Sequence, residues 1–304
     1  MTDYDVVVVG GGAAGLSAAL VLGRARRRVA VVDAGAPRNA PAAHMHGFLS
    51  RDGMPPAELL AVGRAEVAGY GGHLIDDTVA AIEPGTNEPG FHLRLAGGGT
   101  LRARRVLVAT GLSDEVPDIP GVRERWGRDL LHCPYCHGYE VRDQPLGVLG
   151  GTPDAVQHAL LIRQWSADVA YFPHTDTLTT GERERLAARG VRVIDGKVVR
   201  LAVENDRLRG VELADGAVVE RAAVFVRPRL VPNGGLLTGL GCAVNEQGWA
   251  VVDPTGRTSV PGVWAAGNAV DPRAQVITAA GAASAAAIAM NADLIEEEVQ
   301  GSSR

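Results

Sequence analysis

The sequence predicts an α/β protein with two Rossmann-like nucleotide-binding domains, each of the three-layer ββα kind, the second inserted into the first. Strand, glycine loop, helix and strand follow one another at residues 4–33, and the same order recurs at residues 145–172. A two-stranded ribbon follows each copy, at residues 91–111 and 208–228. Matching order at such a separation is typical of a duplicated module.

The first module lacks a closing strand and helix, which must come from elsewhere in the chain. After Pro232 the chain resumes with the segments GWAVVD and GVWAAGN and an alanine-rich stretch from Ala274 to Val299. We therefore expect residues 1–114 and 232–304 to form the first domain. Residues 115–231 would form the inserted domain, which carries two closely spaced cysteines.

Length, composition and charge limit the function classes. With 304 residues, 46% of them hydrophobic, the chain can bury a large core and form about two domains. The 30 basic residues are scattered among 35 acidic ones, which argues against a nucleic acid or an anionic membrane surface as partner. The N-terminus has no basic lead or cleavage-site pattern, and no apolar run reaches about 18 uninterrupted residues. We expect a cytoplasmic location.

The first glycine loop has the pattern that binds a dinucleotide. Gly10, Gly12 and Gly15 form GxGxxG between a strand and a helix. The first two let the backbone turn and approach a pyrophosphate, the third lets helix and strand pack, and the helix N-terminus offers amides to the phosphate. Asp33 ends the next strand, where a carboxylate can bind both hydroxyls of an adenosine ribose.

The second glycine loop is a poorer candidate for nucleotide binding. It keeps Gly147, Gly150 and Gly151 but continues with Thr152 and Pro153. The threonine Cβ would crowd a phosphate, and proline has no amide donor. The segment VAYFPHTDT that ends the next strand offers neither the acid expected for NAD nor the arginines expected for NADP. A module that merely packs is at least as good an interpretation as a nicotinamide site.

The stretch LHCPYCHGYE at residues 131–140 places Cys133 and Cys136 between His132 and His137. Three cysteines are too few for a disulfide framework, and the cytosol would not maintain one. A structural zinc ion needs four ligands, and these four residues are too close in sequence to surround it. We therefore predict no metal site, and a catalytic role of the cysteine pair stays open. Cys242 has no partner at useful spacing and is expected to be buried apolar filler. A thioredoxin-like module is disfavoured because the motif joins two glycine-loop domains.

Together these motifs resemble the low-molecular-weight thioredoxin reductase family of flavoproteins over nearly the whole chain. The resemblance rests on the first glycine loop with Asp33, on VLVATG at 106–111, on the CxxC motif, and on GVWAAGNAVDPRAQVITAAG at 262–281. It implies FAD as cofactor, with the last segment starting a helix aimed at the flavin ring. The residues that it implies for FAD binding are Gly10, Gly12, Ala13, Ala14, Gly15, Asp33, Ala34, Arg38, Asn39, His46, Ala109, Thr110, Gly111, Gly267, Asn268, Gln275, Val276 and Ile277.

The sequence departs from this family in two places. Asn268 stands where the family usually has an acid, and its amide can still accept a hydrogen bond. At the second loop the family resembles GGGDSA followed by a His-Arg-Arg stretch, whereas this chain has GGTPDA and then PHT. The resemblance therefore does not extend to the NADPH site.

A subgroup of the same fold is more similar: the FAD-dependent dithiol oxidases of disulfide-containing natural products such as gliotoxin and holomycin. Its motif, C-P-aromatic-C-H-G-aromatic-E, is matched at every position by CPYCHGYE, and the PRN at residues 37–39 also resembles that group. The resemblance implies an oxidoreductase that takes two electrons from a small-molecule dithiol and gives them to O2 without a nicotinamide. A homodimer is expected from the family and from the small residues of the alanine-rich tail.

The resemblance also implies the roles of the site residues. Cys136 would lie against the flavin, Cys133 would exchange with the substrate, and His137 would relay protons between substrate and cysteines. His44 and His46, in the segment 41–60, are candidates for the substrate wall. Two alternatives stay open: a disulfide reductase supplied by NADPH or by a donor such as ferredoxin, and a redox-sensing flavoprotein without turnover.

Overall fold

The computed structural model describes residues 2–85 and 89–302 of the chain and divides it into two compact units. The first unit comprises Met1–Ala40, Phe48–Ser113 and Val231–Arg304, and the second comprises Pro41–Gly47 and Asp114–Leu230. The insertion thus begins and ends one residue before the predicted limits. The expected domain limits need one correction, because Pro41–Gly47 groups with the inserted unit and not with the first.

Both strand–helix–strand units predicted at residues 4–33 and 145–172 are present. The strands are β1 Thr2–Val9, β2 Val29–Asp33, β3 His73–Asp76, β4 Val79–Pro84, β5 Phe91–Leu95, β6 Thr100–Val108, β7 Leu112–Glu115, β8 Leu130–Leu131, β9 Leu146–Leu149, β10 Val169–Phe172, β11 Val191–Val193, β12 Val198–Glu204, β13 Arg207–Leu213, β14 Val218–Glu220, β15 Ala223–Val226, β16 Arg229–Pro232 and β17 Val263–Ala265. The helices are α1 Ala13–Arg24, α2 Pro56–Gly69, α3 Val122–Arg125, α4 Pro134–His137, α5 Ala155–Ile162, α6 Thr180–Ala188, α7 Gly235–Gly239 and α8 Val276–Ser302.

The first unit is built on a sheet in the order β3-β2-β1-β6-β5-β4, with β17 also paired to β6. The valine runs of β1 and β2 are buried on both faces, as expected for parallel strands covered on two sides. One face packs against α1 and α8. The other packs against the antiparallel ribbon of β4 and β5 and against α7. This arrangement is the predicted three-layer ββα domain, and β17 and α8 are the closing elements that the first module lacked.

The second unit repeats this architecture on a smaller scale. Its parallel sheet has the order β11-β10-β9-β15-β8, and an antiparallel ribbon, β12-β13-β14, covers one face. Helix α5 packs on the other face, where Ala155, Ala159 and Ile162 are buried. The CxxC segment follows β8, at the carboxyl edge of this sheet.

Within the described ranges, helix α8 is long and apolar enough to cross a membrane. Length and composition alone are weak evidence for a span, because the core helix of a soluble protein passes the same test. In this structure Ala283, Ala286, Ala287 and Met290 are fully buried against the sheet. Near the end of the helix, Glu298 forms ion pairs with Arg27 and Arg104. The buried residues and the ion pairs mark α8 as a core helix of the first unit.

The contact between β1 and α1 depends on Gly15. A Cβ built on Gly15 would lie 1.8 Å from the carbonyl oxygen of Gly10, which a real atom cannot do. A Cβ built on Gly12 meets no atom within 4 Å, and its φ of −75° suits any residue. The third glycine of the loop is therefore required by packing, whereas Gly12 faces open space.

This difference gives a matched pair of variants. Gly15→Ala should lower the free energy of unfolding of the cofactor-free protein by about 2 kcal/mol or more, because the added methyl group forces backbone to move. Gly12→Ala should leave it unchanged or slightly raise it, because the unfolded chain loses freedom. Urea unfolding followed by circular dichroism measures both, and equal midpoints for the two variants would contradict the packing argument.

Candidate functional site

The first glycine loop fits a bound pyrophosphate. Helix α1 begins at Ala13, and no side chain in the described residues caps its amides. Its first turn contains no acid that would repel a phosphate. The open space beside Gly12 therefore lies next to the uncapped N-terminus of α1, where an anion is stabilised.

Asp33 occupies the place expected of a ribose-binding carboxylate. It is the last residue of β2, and its Oδ1 accepts a hydrogen bond of 2.9 Å from the Gly11 amide. Its Oδ2 lies 3.8 Å from a guanidinium nitrogen of Arg64. Oδ1 of Asp33 thus holds the loop in shape. The carboxylate is partly exposed, so Oδ2 can accept hydrogen bonds from ribose hydroxyls.

The segment before α8 lies against the first glycine loop. A Cβ on Gly267 would lie 2.9 Å from the Cβ of Ala14, so the two turns are in contact. The Asn268 side-chain nitrogen donates to the carbonyl oxygens of Asp271 and Ala274, at 2.9 and 3.0 Å. These bonds orient the amide and leave its Oδ1 as an acceptor, which is the function expected of Asn268. Gln275 directly precedes α8, which begins with Val276 and Ile277.

The turn after β6 also joins this edge. The carbonyl oxygen of Ala109 would lie 2.4 Å from a Cβ on Gly10, so β6 ends beside the glycine loop. The Thr110 hydroxyl donates to the backbone carbonyl oxygen of Asn233, and the side-chain amide of Asn233 donates to the Thr110 carbonyl oxygen, each at 2.9 Å. The backbone N–H of Asn233 also donates to the Gly111 carbonyl oxygen. Thr110 is thus engaged by a residue that the sequence did not single out.

The remaining residues assigned to the cofactor lie in the chain after β2. Ala34 and Arg38 are exposed and Asn39 is half-buried, all within the first unit. His46 belongs to the second unit, where its Nε2 lies 3.4 Å from Oε1 of Glu140. The residues that the first unit itself brings to the glycine loop are therefore Asp33, Ala109, Gly267 and Asn268.

The glycine loop of the second unit is bonded to an acid, as the first loop is. The Gly151 amide donates to Oδ2 of Asp176 at 2.7 Å. The expectation that this strand end lacks an acid is wrong, because Asp176, four residues beyond β10, reaches the loop. Asp154 at the start of α5 adds a second acid, which lies 3.6 Å from Arg227. The loop that would hold a pyrophosphate thus faces two carboxylates.

Cys133 and Cys136 are joined as a disulfide, with their Cα atoms 5.2 Å apart. Helix α4 is one turn long and starts at Pro134, whose fixed φ suits the first helical position. The Cys136 and His137 amides both donate to the Cys133 carbonyl oxygen, at 3.1 Å. Both cysteines are half-exposed, so a small thiol can reach the sulfur atoms.

A cavity of about 160 Å³ lies beside the CxxC motif within the second unit. Its lining includes His44 and His46, from the segment that groups with this unit, together with His137 and Glu140. Burial lowers the pKa of His137, the Glu140 carboxylate raises it, and His46 lowers it again. Because burial is the largest of these effects, His137 is held neutral near pH 7 and can accept a proton.

His132 faces a different group from His137. Its Nδ1 lies 3.4 Å from the Val226 carbonyl oxygen, and its ring centroid lies 6.0 Å from that of His158. Burial is the main cause that lowers the pKa of His158 to about 4. His132 therefore packs toward the sheet of the second unit, as expected for a flanking histidine without a chemical role.

Cys242 takes no part in the disulfide. It is buried, and its Sγ lies 3.5 Å from the Thr258 hydroxyl. In the part of the chain that the structure describes, no group of three or more His, Cys, Asp or Glu side chains could hold a metal ion.

Comparison with known proteins assigns the family. The family model described as pyridine nucleotide-disulphide oxidoreductase matches residues 4–287. The thioredoxin reductase sirT of Leptosphaeria maculans is 33% identical, over 91% of this chain and 90% of its own. The thioredoxin reductase tcpT of Claviceps purpurea is 34% identical, over 87% and 86% of the two chains.

Solved structures agree with this assignment. The crystal structure of HlmI is 61% identical, has a TM-score of 0.97, and matches 100% of this chain and 97% of its own. The thioredoxin reductase TrxB structure from Bacillus anthracis, described as putative, is 35% identical with a TM-score of 0.92, over 97% and 99% of the chains. The chain belongs to the pyridine nucleotide-disulphide oxidoreductase family, as a thioredoxin reductase-like flavoprotein that binds FAD and acts on disulfides.

Proposed function

We propose that this enzyme oxidises a small-molecule dithiol to a disulfide, with the Cys133–Cys136 disulfide as immediate acceptor and O2 as final acceptor. The observation that carries the proposal is the position of His137, which directly follows Cys136 and lines a small cavity, and whose pKa is lowered by burial. A buried imidazole at this position is a base for a thiol, and substrate oxidation begins with the loss of a thiol proton.

The exchange itself needs only groups of this chain. One substrate thiol gives its proton to His137, and the thiolate attacks Sγ of Cys133, so that the Cys133–Cys136 bond breaks and Cys136 leaves as a thiolate. The second substrate thiol gives its proton to the Cys136 thiolate, and the resulting substrate thiolate attacks the substrate sulfur of the mixed disulfide. This releases Cys133 and the cyclic substrate disulfide, with two electrons left on the cysteine pair. When bound, FAD supplies the two-electron acceptor, and reduction of O2 with two protons yields hydrogen peroxide.

The second glycine loop does not suit a nicotinamide dinucleotide, which supports a reaction that uses O2 and no NADPH. A nicotinamide dinucleotide needs room and loop amides for its pyrophosphate, and here Thr152 adds a side chain where the first loop has Gly12. A phosphate at this loop would meet the negative charges of Asp154 and Asp176, and Pro153 offers no amide. We infer that the inserted module serves as a scaffold for the CxxC motif and does not bind NADPH.

The substrate wall of the proposal is the segment Pro41–Gly47. It groups with the CxxC unit and carries His44 and His46 into the cavity lining. Ala43, Leu131 and Val141 supply apolar surface to the same cavity. This mixture suits a small, partly apolar molecule that presents polar groups beside its thiols.

We also propose that the reaction takes place in the cytoplasm.

We also propose a homodimer that forms through the outer face of α8. Exposed residues without charge recur along this helix at alternating intervals of three and four, the spacing of a helix-packing seam. They are Thr278, Gly281, Ala285, Ile288, Ala292, Ile295 and Val299. Ile288 is 63% exposed and Val299 57% in the single chain, which is unfavourable unless a second copy covers them.

The redox proposal predicts different outcomes for two cysteine variants. Cys136→Ser should abolish oxygen-dependent dithiol turnover and peroxide formation, because the disulfide can no longer form. Cys242→Ser should retain most of the wild-type rate, because that thiol is buried in the first unit beside Thr258. Oxygen consumption and peroxide yield with dithiothreitol measure both, and peroxide formation by Cys136→Ser at the wild-type rate would contradict the proposal.

The dimer proposal predicts a change in molecular mass. Ile288→Lys should convert the dimer to a monomer, because it places a charge on the seam of α8. Val203→Lys, at another exposed apolar residue, on β12 of the second unit, should leave the mass unchanged. Sedimentation equilibrium measures the mass, and a dimer that persists in Ile288→Lys would exclude α8 as the interface.

A further inference from the structure

Glu140 lies close to two imidazoles in the cavity beside the CxxC motif. Its Oε1 is 3.4 Å from Nε2 of His46, and its charge also acts on His137, three residues earlier in the chain. All three side chains line the same cavity. The mechanism above uses His137 as the base and gives His46 a place only in the substrate wall, so the Glu140 carboxylate has no assigned role.

The two neighbours act on His137 in opposite directions. The Glu140 carboxylate favours the protonated imidazole, and His46 disfavours it. His44 and Arg128 are the other titratable or charged side chains that line this cavity. The Glu140 side chain is 45% exposed, so solvent and salt weaken its field. Glu140 can therefore adjust the proton affinity of His137 without fixing it in the charged form.

We propose that Glu140 is a positioning residue that stabilises the protonated imidazole of His137 formed when the substrate thiol gives up its proton, with His46 opposing it. The inference rests on the proposed function for the role of His137 as the base. A carboxylate that supports an imidazole after proton transfer is a known arrangement in hydrolases, where it stabilises the imidazolium without taking the proton. Here the same principle would serve thiol chemistry. His46 would prevent His137 from remaining protonated between turnovers.

The direct test is a titration of the imidazoles by NMR in the oxidised enzyme with ¹³C-labelled histidine. His137→Gln assigns the resonance. Glu140→Gln should move the His137 titration to lower pH, because the stabilising charge is lost. His46→Gln should move it to higher pH, because the opposing imidazole is lost. Glu184→Gln, an exposed acid on α6, is the matched control and should move nothing. An unmoved His137 titration in Glu140→Gln, or shifts of the same sign in both variants, would overturn the inference.

A kinetic measurement separates this inference from the proposed function. The rate of anaerobic exchange between dithiothreitol and the enzyme disulfide should rise with pH as His137 loses its proton. That rising limb should shift to lower pH in Glu140→Gln and to higher pH in His46→Gln, and Glu140→Asp should restore part of the wild-type profile. A purely structural role of Glu140 would lower the rate at every pH without moving the limb, which would overturn the inference alone. Absence of exchange in the wild type would instead overturn the proposed function, whatever the NMR titration gives.

Discussion

The close approach of α1 to the strand before it is the constraint on which the cofactor site of the first unit depends. Only a glycine at position 15 lets the helix start against the carbonyl oxygen of Gly10. With the helix in that place, Ala14 meets Gly267, and the turn before α8 lies beside the glycine loop. The carboxyl ends of β1, β2 and β6 bring the remaining groups to the same edge. One packing contact thus positions the helix N-terminus, Asp33 and Asn268 together.

The second unit uses the same architecture for a different purpose. In both modules a loop amide donates to a carboxylate, Gly11 to Asp33 and Gly151 to Asp176. In the first module open space beside Gly12 remains for a phosphate, whereas in the second Thr152, Pro153 and a further acid follow the loop. The chemical groups of the second unit lie instead at the CxxC turn. There a disulfide, a neutral imidazole and a small cavity occur within one stretch of chain and one returning segment.

The parts of the structure that the sequence predicted are those encoded by local patterns. The GxGxxG loop with Asp33, the inserted module and the CxxC turn follow from spacing that is visible in one stretch. Asp176 and Asn233 were not predicted in their roles, because each acts on a residue that chain folding brings near, and the contact of Glu140 with His46 arises in the same way. The grouping of Pro41–Gly47 with the second unit could not be predicted for the same reason: its neighbours lie more than 80 residues away in sequence, at Gly127 and Glu140.

In the proposed reaction, electrons enter the enzyme from a dithiol and not from a nicotinamide. Anaerobic titration of the FAD-loaded enzyme, first with NADPH and then with dithiothreitol, tests it most directly through the flavin absorbance. NADPH should leave the spectrum of the oxidised flavin unchanged, whereas dithiothreitol should bleach the flavin. Admission of air should then restore the oxidised spectrum and form peroxide. Rapid bleaching by NADPH would contradict electron entry from a dithiol, because it would require a nicotinamide site that the second loop, with Thr152, Pro153 and Asp154, does not favour.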